Sequence, residues 1–382
     1  MRLRTAIATG AGVLGGAAIA GLGAMAFTYA WQVVRRARHP ERPSRVIAFS
    51  DDTITIERYV DAARPGRFGL WFDDDRGYLR VGDVVAETRT TVTRRVDLLE
   101  FGHPVPGMPC RLTGSYWREP AAAGLPVEHL LVPSEVGPMP AWFIPPEEST
   151  PWCDTVILVH GWRSNRLEPL RAVPAVRAAG WSSLVVSYRN DVGAPDAPDG
   201  KFHLGATEWR DVEAAIRFAL ERGAQRIVLA GWSMGGGTVL QTLLRSQLAP
   251  RVERVILDSP ALDWHAILAA YVRLARYPVP IGPMAEGILK GELTSRLVGL
   301  GEPIPMRELA VEHFARRLSH PILLIQGDDD PTTPVAVARR FEAQRPDIVE
   351  YAEFPGAGHI RSWNADPERY NALIGEWLTR TP

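Results

Sequence analysis

From about Val127 onward the chain alternates short runs of Val, Ile and Leu with amphipathic stretches, and this alternation constrains the fold more than any other feature. Runs apolar on both sides belong to a mostly parallel sheet, and the stretches between them must then cover its two faces as helices. His129–Val132 and Met139–Ile144 read as an opening hairpin; Thr155–Val159, Ser183–Tyr188, Arg226–Ala230, Val255–Asp258, Ile322–Gln326 and Val349–Phe354 read as the strands that follow. Helices are expected at Leu167–Ala179, Thr207–Arg222, Met234–Ser246, Val335–Gln344 and Pro367–Leu378.

The run Arg226–Ala230 leads straight into Gly231-Trp232-Ser233-Met234-Gly235, and a helix-like stretch begins at once. A serine at the tip of so sharp a turn sits in strained backbone, so the residues two before and two after it must be nearly free of side chain. Both are glycine, which makes Ser233 a candidate nucleophile. A serine hydroxyl attacks poorly at neutral pH unless a base takes its proton and a third group orients that base. His359, after Gly356-Ala357-Gly358, is the base candidate, and the consecutive Asp328, Asp329 and Asp330 follow the preceding strand as candidate acids. The amide of Met234 opens the helix, where unpaired N–H groups and the helix dipole favour a developing oxyanion.

Four motifs stand in order: His160-Gly161-Trp162, the serine pentapeptide, Gly327-Asp328-Asp329-Asp330-Pro331 and Gly356-Ala357-Gly358-His359. Through them the stretch from about Val127 to Leu378 resembles the α/β-hydrolase superfamily, in its branch of serine esterases, lipases, thioesterases and prolyl-oligopeptidase-like peptidases. The resemblance implies a triad of Ser233, Asp330 and His359, because the family's loop carries a proline four residues after the acid and Gly327, Asp330 and Pro334 fit that spacing. It also implies that the Trp162 amide is the second oxyanion donor beside Met234, with His160 and Gly161 shaping the turn. A His-Gly-x turn differs from the Gly-Gly-Gly-x form of some esterases, which argues against bulky tertiary-alcohol esters. Serine at the turn argues against haloalkane dehalogenation, which uses aspartate there.

The implied chemistry is hydrolysis of a carboxylic ester through an acyl-enzyme, without cofactor or metal. A prolyl-oligopeptidase-like peptidase is the alternative, although no β-propeller precedes the domain, and a catalytically silent binding domain is the reading from another class. The catalytic domain is expected over 125–382, with a helical cap at 263–319 built from His265–Arg276, Met284–Leu300 and Met306–Leu318. Ile267, Leu268, Tyr271, Ile288 and Leu289 are candidates to line an acyl pocket; Trp232, Trp264 and Trp363 to border the site; Arg189 and Asp191 to add polar groups near it.

The N-terminus carries a second signal. Thr5 to Val34 contains no charged residue, and a helix needs only about 20 residues to cross the hydrocarbon layer. Arg2 and Arg4 precede it, Arg35, Arg36 and Arg38 close it, and Tyr29 and Trp31 stand where an interfacial aromatic belt would lie. A membrane anchor over 1–38 is therefore expected, in preference to a signal peptide cut after Ala24-Met25-Ala26, and the arginine balance leans toward a catalytic domain on the cytoplasmic side. Gly12-x-x-x-Gly16 has the spacing of a close helix contact in lipid.

Between anchor and catalytic domain, 45–120 has β-leaning runs at Arg45–Phe49, Thr53–Glu57 and Arg67–Phe72 and a longer alternation from Tyr78 to Val96, the pattern of a small antiparallel sheet that either selects substrate or spaces the catalytic domain. Composition removes other classes. A net charge of −1 without a basic stripe excludes a nucleic-acid partner. Cys110 and Cys153 are two thiols or one bridge, and neither they nor the nine histidines have metal-ligand spacing.

Overall fold

The computed structural model describes residues 20–36, 44–148 and 150–380. Residues 44–113 form a closed barrel of six antiparallel strands: β1 (Ser44–Phe49), β2 (Thr53–Glu57), β3 (Phe68–Phe72), β4 (Gly77–Glu87), β5 (Thr91–Phe101) and β6 (Pro109–Thr113). Their order is β1-β2-β5-β4-β3-β6, and β6 closes on β1 with Ser44 opposite Cys110. Alternate residues point inward, so Val46, Ile54, Ile56, Phe68, Leu70 and Val81 make its core. The expected stretch Tyr78–Val96 is divided between two strands, turned where Thr88 Oγ1 accepts from the amides of Thr90 and Thr91. The expected small antiparallel sheet is present and closed into a barrel; the closure lies beyond the reach of local pattern, because its closing pair joins strands more than 60 residues apart.

The second sheet holds eight strands: β7 (Glu128–Ser134), β8 (Gly137–Ile144), β9 (Asp154–Val159), β10 (Ser182–Val186), β11 (Arg226–Trp232), β12 (Val252–Asp258), β13 (Ile322–Gly327) and β14 (Val349–Phe354). The order is β14-β13-β12-β11-β9-β10-β8-β7, parallel from β14 to β10 and antiparallel in the opening hairpin. A helix over residues 20–34 (α1), α3 (Trp209–Glu221), α4 (Met234–Arg245) and α9 (Val335–Gln344) cover one face; α2 (Val173–Ala178), α10 (Ser362–Ala365) and α11 (Pro367–Thr379) cover the other. The expected helix Leu167–Ala179 is a 3₁₀ turn followed by α2, since Pro169 and Pro174 remove amide donors from its start.

The cap comprises α5 (Trp264–Leu274), α6 (Ile281–Lys290), α7 (Thr294–Leu297) and α8 (Val311–Arg317). Asp263 caps α5 by accepting from the Ala266 amide at 3.0 Å. The expected helix Met284–Leu300 is two helices broken at Gly291, whose backbone is extended (φ −85, ψ 135).

Of the expected anchor over 1–38 the structure describes residues 20–36; residues 1–19, and with them Gly12-x-x-x-Gly16, lie outside the described residues. Among the described residues no helix is long and apolar enough to cross a membrane. Instead α1 packs on the catalytic domain: Ala26, Tyr29, Ala30, Val33 and Val34 join the core of that face, and Tyr29 donates to the Leu268 carbonyl at 3.0 Å. An apolar stripe meant for protein and one meant for lipid look alike in sequence, so Tyr29, expected in an interfacial belt, is buried in the domain instead.

Candidate active site

Ser233 sits between β11 and α4 with φ 51 and ψ −118. The strain is held by close packing: a Cβ at Gly231 would lie 2.6 Å from the Gly235 carbonyl oxygen, and one at Gly235 would lie 2.2 Å from that of Val159. Both glycines are therefore steric necessities. Ser233 Oγ donates to His359 Nε2 at 2.9 Å, and His359 Nδ1 donates to Asp330 Oδ2 at 2.8 Å, which fixes the tautomer. The loops after β13 and β14 thus bring Asp330 and His359 to the serine at the carboxyl edge of the sheet.

Asp330 is buried, yet its other contacts suit an anion. Oδ1 accepts from the amides of Thr332 and Thr333 at 2.8 and 2.9 Å, and Oδ2 accepts from the Thr333 hydroxyl and the Gln326 amide group at 2.7 and 3.0 Å. Burial pushes its carboxyl up, but His359 and these donors outweigh burial and hold it below the usual carboxylate range. Asp329 instead points outward to Arg64, and Asp328 accepts from the Gly356 amide at 2.7 Å. Of the three consecutive aspartates, only Asp330 meets the histidine.

The turn His160-Gly161-Trp162 is braced from beneath. Tyr188 Oη and His160 Nδ1 both donate to the Gly161 carbonyl, at 2.7 and 2.9 Å, while the Gly161 amide donates to Glu168 at 2.6 Å. In a trans peptide the following N–H points opposite to that carbonyl, so the Trp162 amide is turned away from Tyr188. Gly161 itself lies against Ser233, 3.0 Å from the serine Cβ to a Cβ built on it. His160 Nε2 donates to Asp191 at 2.7 Å, so both ring nitrogens face acceptors. Burial opposes charge on His160, but Asp191 and Glu168 outweigh it and raise its pKa. Met234 is the first residue of α4, where amides lack intrahelical partners. Of the polar candidates, Asp191 thus supports the turn, whereas Arg189 is turned to Asp211 and Glu135.

A cavity of about 260 Å³ opens over the serine. Trp264, Ile267 and Tyr271 of α5 form one wall, so the cap does border the site; Leu268 faces a neighbouring cavity, and Leu289 is core. Trp232 and Trp363 are buried in the opposite core and do not reach the cavity. Asp61, from the barrel module, also lines it, a contribution that sequence reasoning missed.

Arg64 of the same loop reaches the triad loops. Its guanidinium donates to the Gly356 carbonyl at 2.9 Å, pairs with Asp329 at 2.9 Å and Asp61 at 3.0 Å, and would stand 2.6 Å from a Cβ on Gly358. Behind it, fully buried Arg94 donates to the carbonyls of Gly82, Ala62, Arg64 and Gly66, fixing the loop from inside the barrel. Among the described residues no cluster could hold a metal ion, and both cysteines are free thiols.

A parallel sheet that presents a strained serine, a histidine and a buried carboxylate at one edge defines a hydrolase. Sequence comparison agrees: the family described as "Alpha/beta hydrolase family" matches residues 156–373. The chain belongs to that family. A second family, described as "Domain of unknown function (DUF8805)", matches residues 45–113, the barrel. No curated protein matches the chain significantly. Among solved structures it is similar to an esterase of Pyrococcus furiosus, with 21% identity, a TM-score of 0.53 and coverage of 69% of this chain and 96% of that one. It also aligns with a carboxylesterase of Bacillus subtilis at 18% identity and a TM-score of 0.48, over 66% of this chain and 92% of that one. At such identity the Pyrococcus likeness is one of fold.

Proposed function

We propose that the protein is a serine esterase that cleaves small-molecule carboxylic esters through an acyl-enzyme. The observation that carries this reading is the continuous relay from Ser233 Oγ through His359 to Asp330. As Ser233 Oγ attacks the carbonyl carbon, its proton passes to His359 Nε2, and Asp330 stabilises the imidazolium that results. The oxyanion accepts from the amides of Met234 and Trp162, each donor contributing roughly 3–4 kcal/mol in the transition state. Collapse expels the alcohol, which takes the proton from Nε2; water then repeats the sequence and releases the acid. The esterase names among similar folds favour esters over peptides as substrates.

The test is labelling by a fluorophosphonate probe together with turnover of p-nitrophenyl esters and peptide p-nitroanilides. We expect Ser233-dependent labelling and ester turnover, with Ser233→Ala losing about 10⁴-fold or more in kcat while staying folded. A folded native chain that neither labels nor turns over esters would leave a silent binding domain, and anilide turnover without ester turnover would make it a peptidase.

We further assign the uncharged stretch beginning at Thr5 as a membrane attachment with the catalytic domain on the cytoplasmic side, supported by its flanking arginines and by Met25, Phe27 and Trp31, which α1 leaves exposed. Flotation of the full chain with vesicles, lost on removing residues 1–19, tests attachment, and protease accessibility in right-side-out vesicles tests the side.

A further inference from the structure

A second cavity of about 350 Å³ lies beside the catalytic one, within the size range of small-molecule sites. Trp162, Trp264 and Tyr271 line both, so the two cavities adjoin along three aromatic residues. Its far walls are α5 and the residue that follows it, through Leu268 and Ala275, and α1, through Tyr29 and Val33. The lining is apolar except at one end, where Arg35, Arg163 and Gln32 gather.

Among the described residues neither guanidinium there has an acid beside it. Arg163 donates to the carbonyls of Gln32 and Arg35, capping the carboxyl end of α1, and stacks 3.8 Å above the Trp162 ring. Arg35 lies 4.5 Å over Trp31. The Nε of each is buried without a hydrogen-bond partner. Asp191 and Asp196 on the adjoining loop are taken by His160 and Arg36. Burial and the charge of Arg35 push Arg163 down to about 10, which leaves it cationic at neutral pH. Two half-buried cations that share an apolar cavity, each with a buried Nε left over, call for an anion on an apolar stem.

We propose that this cavity binds the apolar chain of the substrate and that Arg35 and Arg163 hold an anionic group, carboxylate or phosphate, at the chain's end. The inference rests on the esterase reading for the word substrate, but the site itself is a binding site that exists whether or not Ser233 turns over. Its ligand class is therefore an ester whose chain carries a terminal anion, and α1 is part of the specificity apparatus.

Calorimetric titration of the full-length Ser233→Ala chain with decanoate, decyl phosphate and decanol reads the site without catalysis. We expect at least one anion to bind about tenfold or more tighter than decanol, the value of one charge-assisted hydrogen bond, and Arg35→Gln to abolish that preference. Arg35→Gln removes no side-chain hydrogen bond of the described structure, and Ala275→Trp, at an exposed rim position, should weaken all three ligands by filling the cavity. Preference for decanoate alone identifies a carboxylate, and for decyl phosphate alone a phosphate. Equal binding of decanol, no binding of any of the three, or an anion preference that survives Arg35→Gln overturns the proposal. Turnover of p-nitrophenyl acetate by the native chain reports separately on the esterase reading.

Discussion

Asp330 and Asp329 are neighbours with opposite surroundings, and substitution separates them. Asp330→Asn takes away the acceptor that fixes the His359 tautomer and is expected to lower kcat by about 10⁴-fold. Asp329→Asn, whose side chain points outward to Arg64, should stay within about tenfold of the native rate. Steady-state kinetics on one p-nitrophenyl ester checks both, and the reverse order would exchange their roles. A third carboxylate, Asp258, was not a sequence candidate, although Ser233 donates its amide to the Asp258 carbonyl at 3.0 Å. Burial pushes the Asp258 carboxyl up to about 6, against the pull of Arg171, Tyr370, Ser259 and His359. Since the unfolded carboxyl titrates near pH 4, the folded state takes up the proton first, and this group adds stability as pH falls from about 6 toward 4. Asp330 works in the opposite sense: its depressed pKa contributes stability above about pH 4 that is lost as pH falls through the folded value. Urea midpoints at pH 7 and pH 5 should therefore shift in favour of the native chain over Asp258→Asn at the lower pH; an unchanged difference would mean that Asp258 titrates normally.

At the scale of elements, the parallel strands were legible because buried runs of Val, Ile and Leu leave few alternatives, and α9 matches its expected bounds, Val335–Gln344. The serine turn was legible for a similar reason, since its glycines are demanded by contacts with Val159 and Gly236. Barrel closure was not legible, nor was the burial of α1, because both depend on partners distant in sequence. The same holds for Arg64, one arginine among many, whose importance lies in where Arg94 places it. Arg64→Met should lower kcat more than it raises KM, by roughly tenfold, because the loop carrying His359 loses its clamp while the substrate cavity keeps its walls; its folding is checked by circular dichroism. A native kcat in a folded variant would show that the base loop holds itself.

Across the whole molecule, the barrel and the catalytic domain are joined by a polar seam. Arg67 and Asn364 exchange backbone and side-chain hydrogen bonds, and Arg171 reaches across to the carbonyls of Ile360 and Gly114. Asn364 is fully buried within it and also donates to the Gly114 carbonyl at 2.9 Å. Two bodies so joined should melt together. Calorimetry of the native chain is expected to show one transition, and Asn364→Ala, which takes the side-chain donor from the Arg67 carbonyl at a cost of about 1–3 kcal/mol, should split or broaden it. Two separate transitions in the native chain would show that the seam carries little energy.

The Arg64 clamp also orders events in time. A ribosome delivers the barrel first, whereas the carbonyl of Gly356 follows Arg64 only 292 residues later, with the base His359 just beyond it. Until then Arg64 has Asp61 of its own loop to hold but neither Asp329 nor Gly356, and a nascent or truncated chain can be half built yet wholly inert.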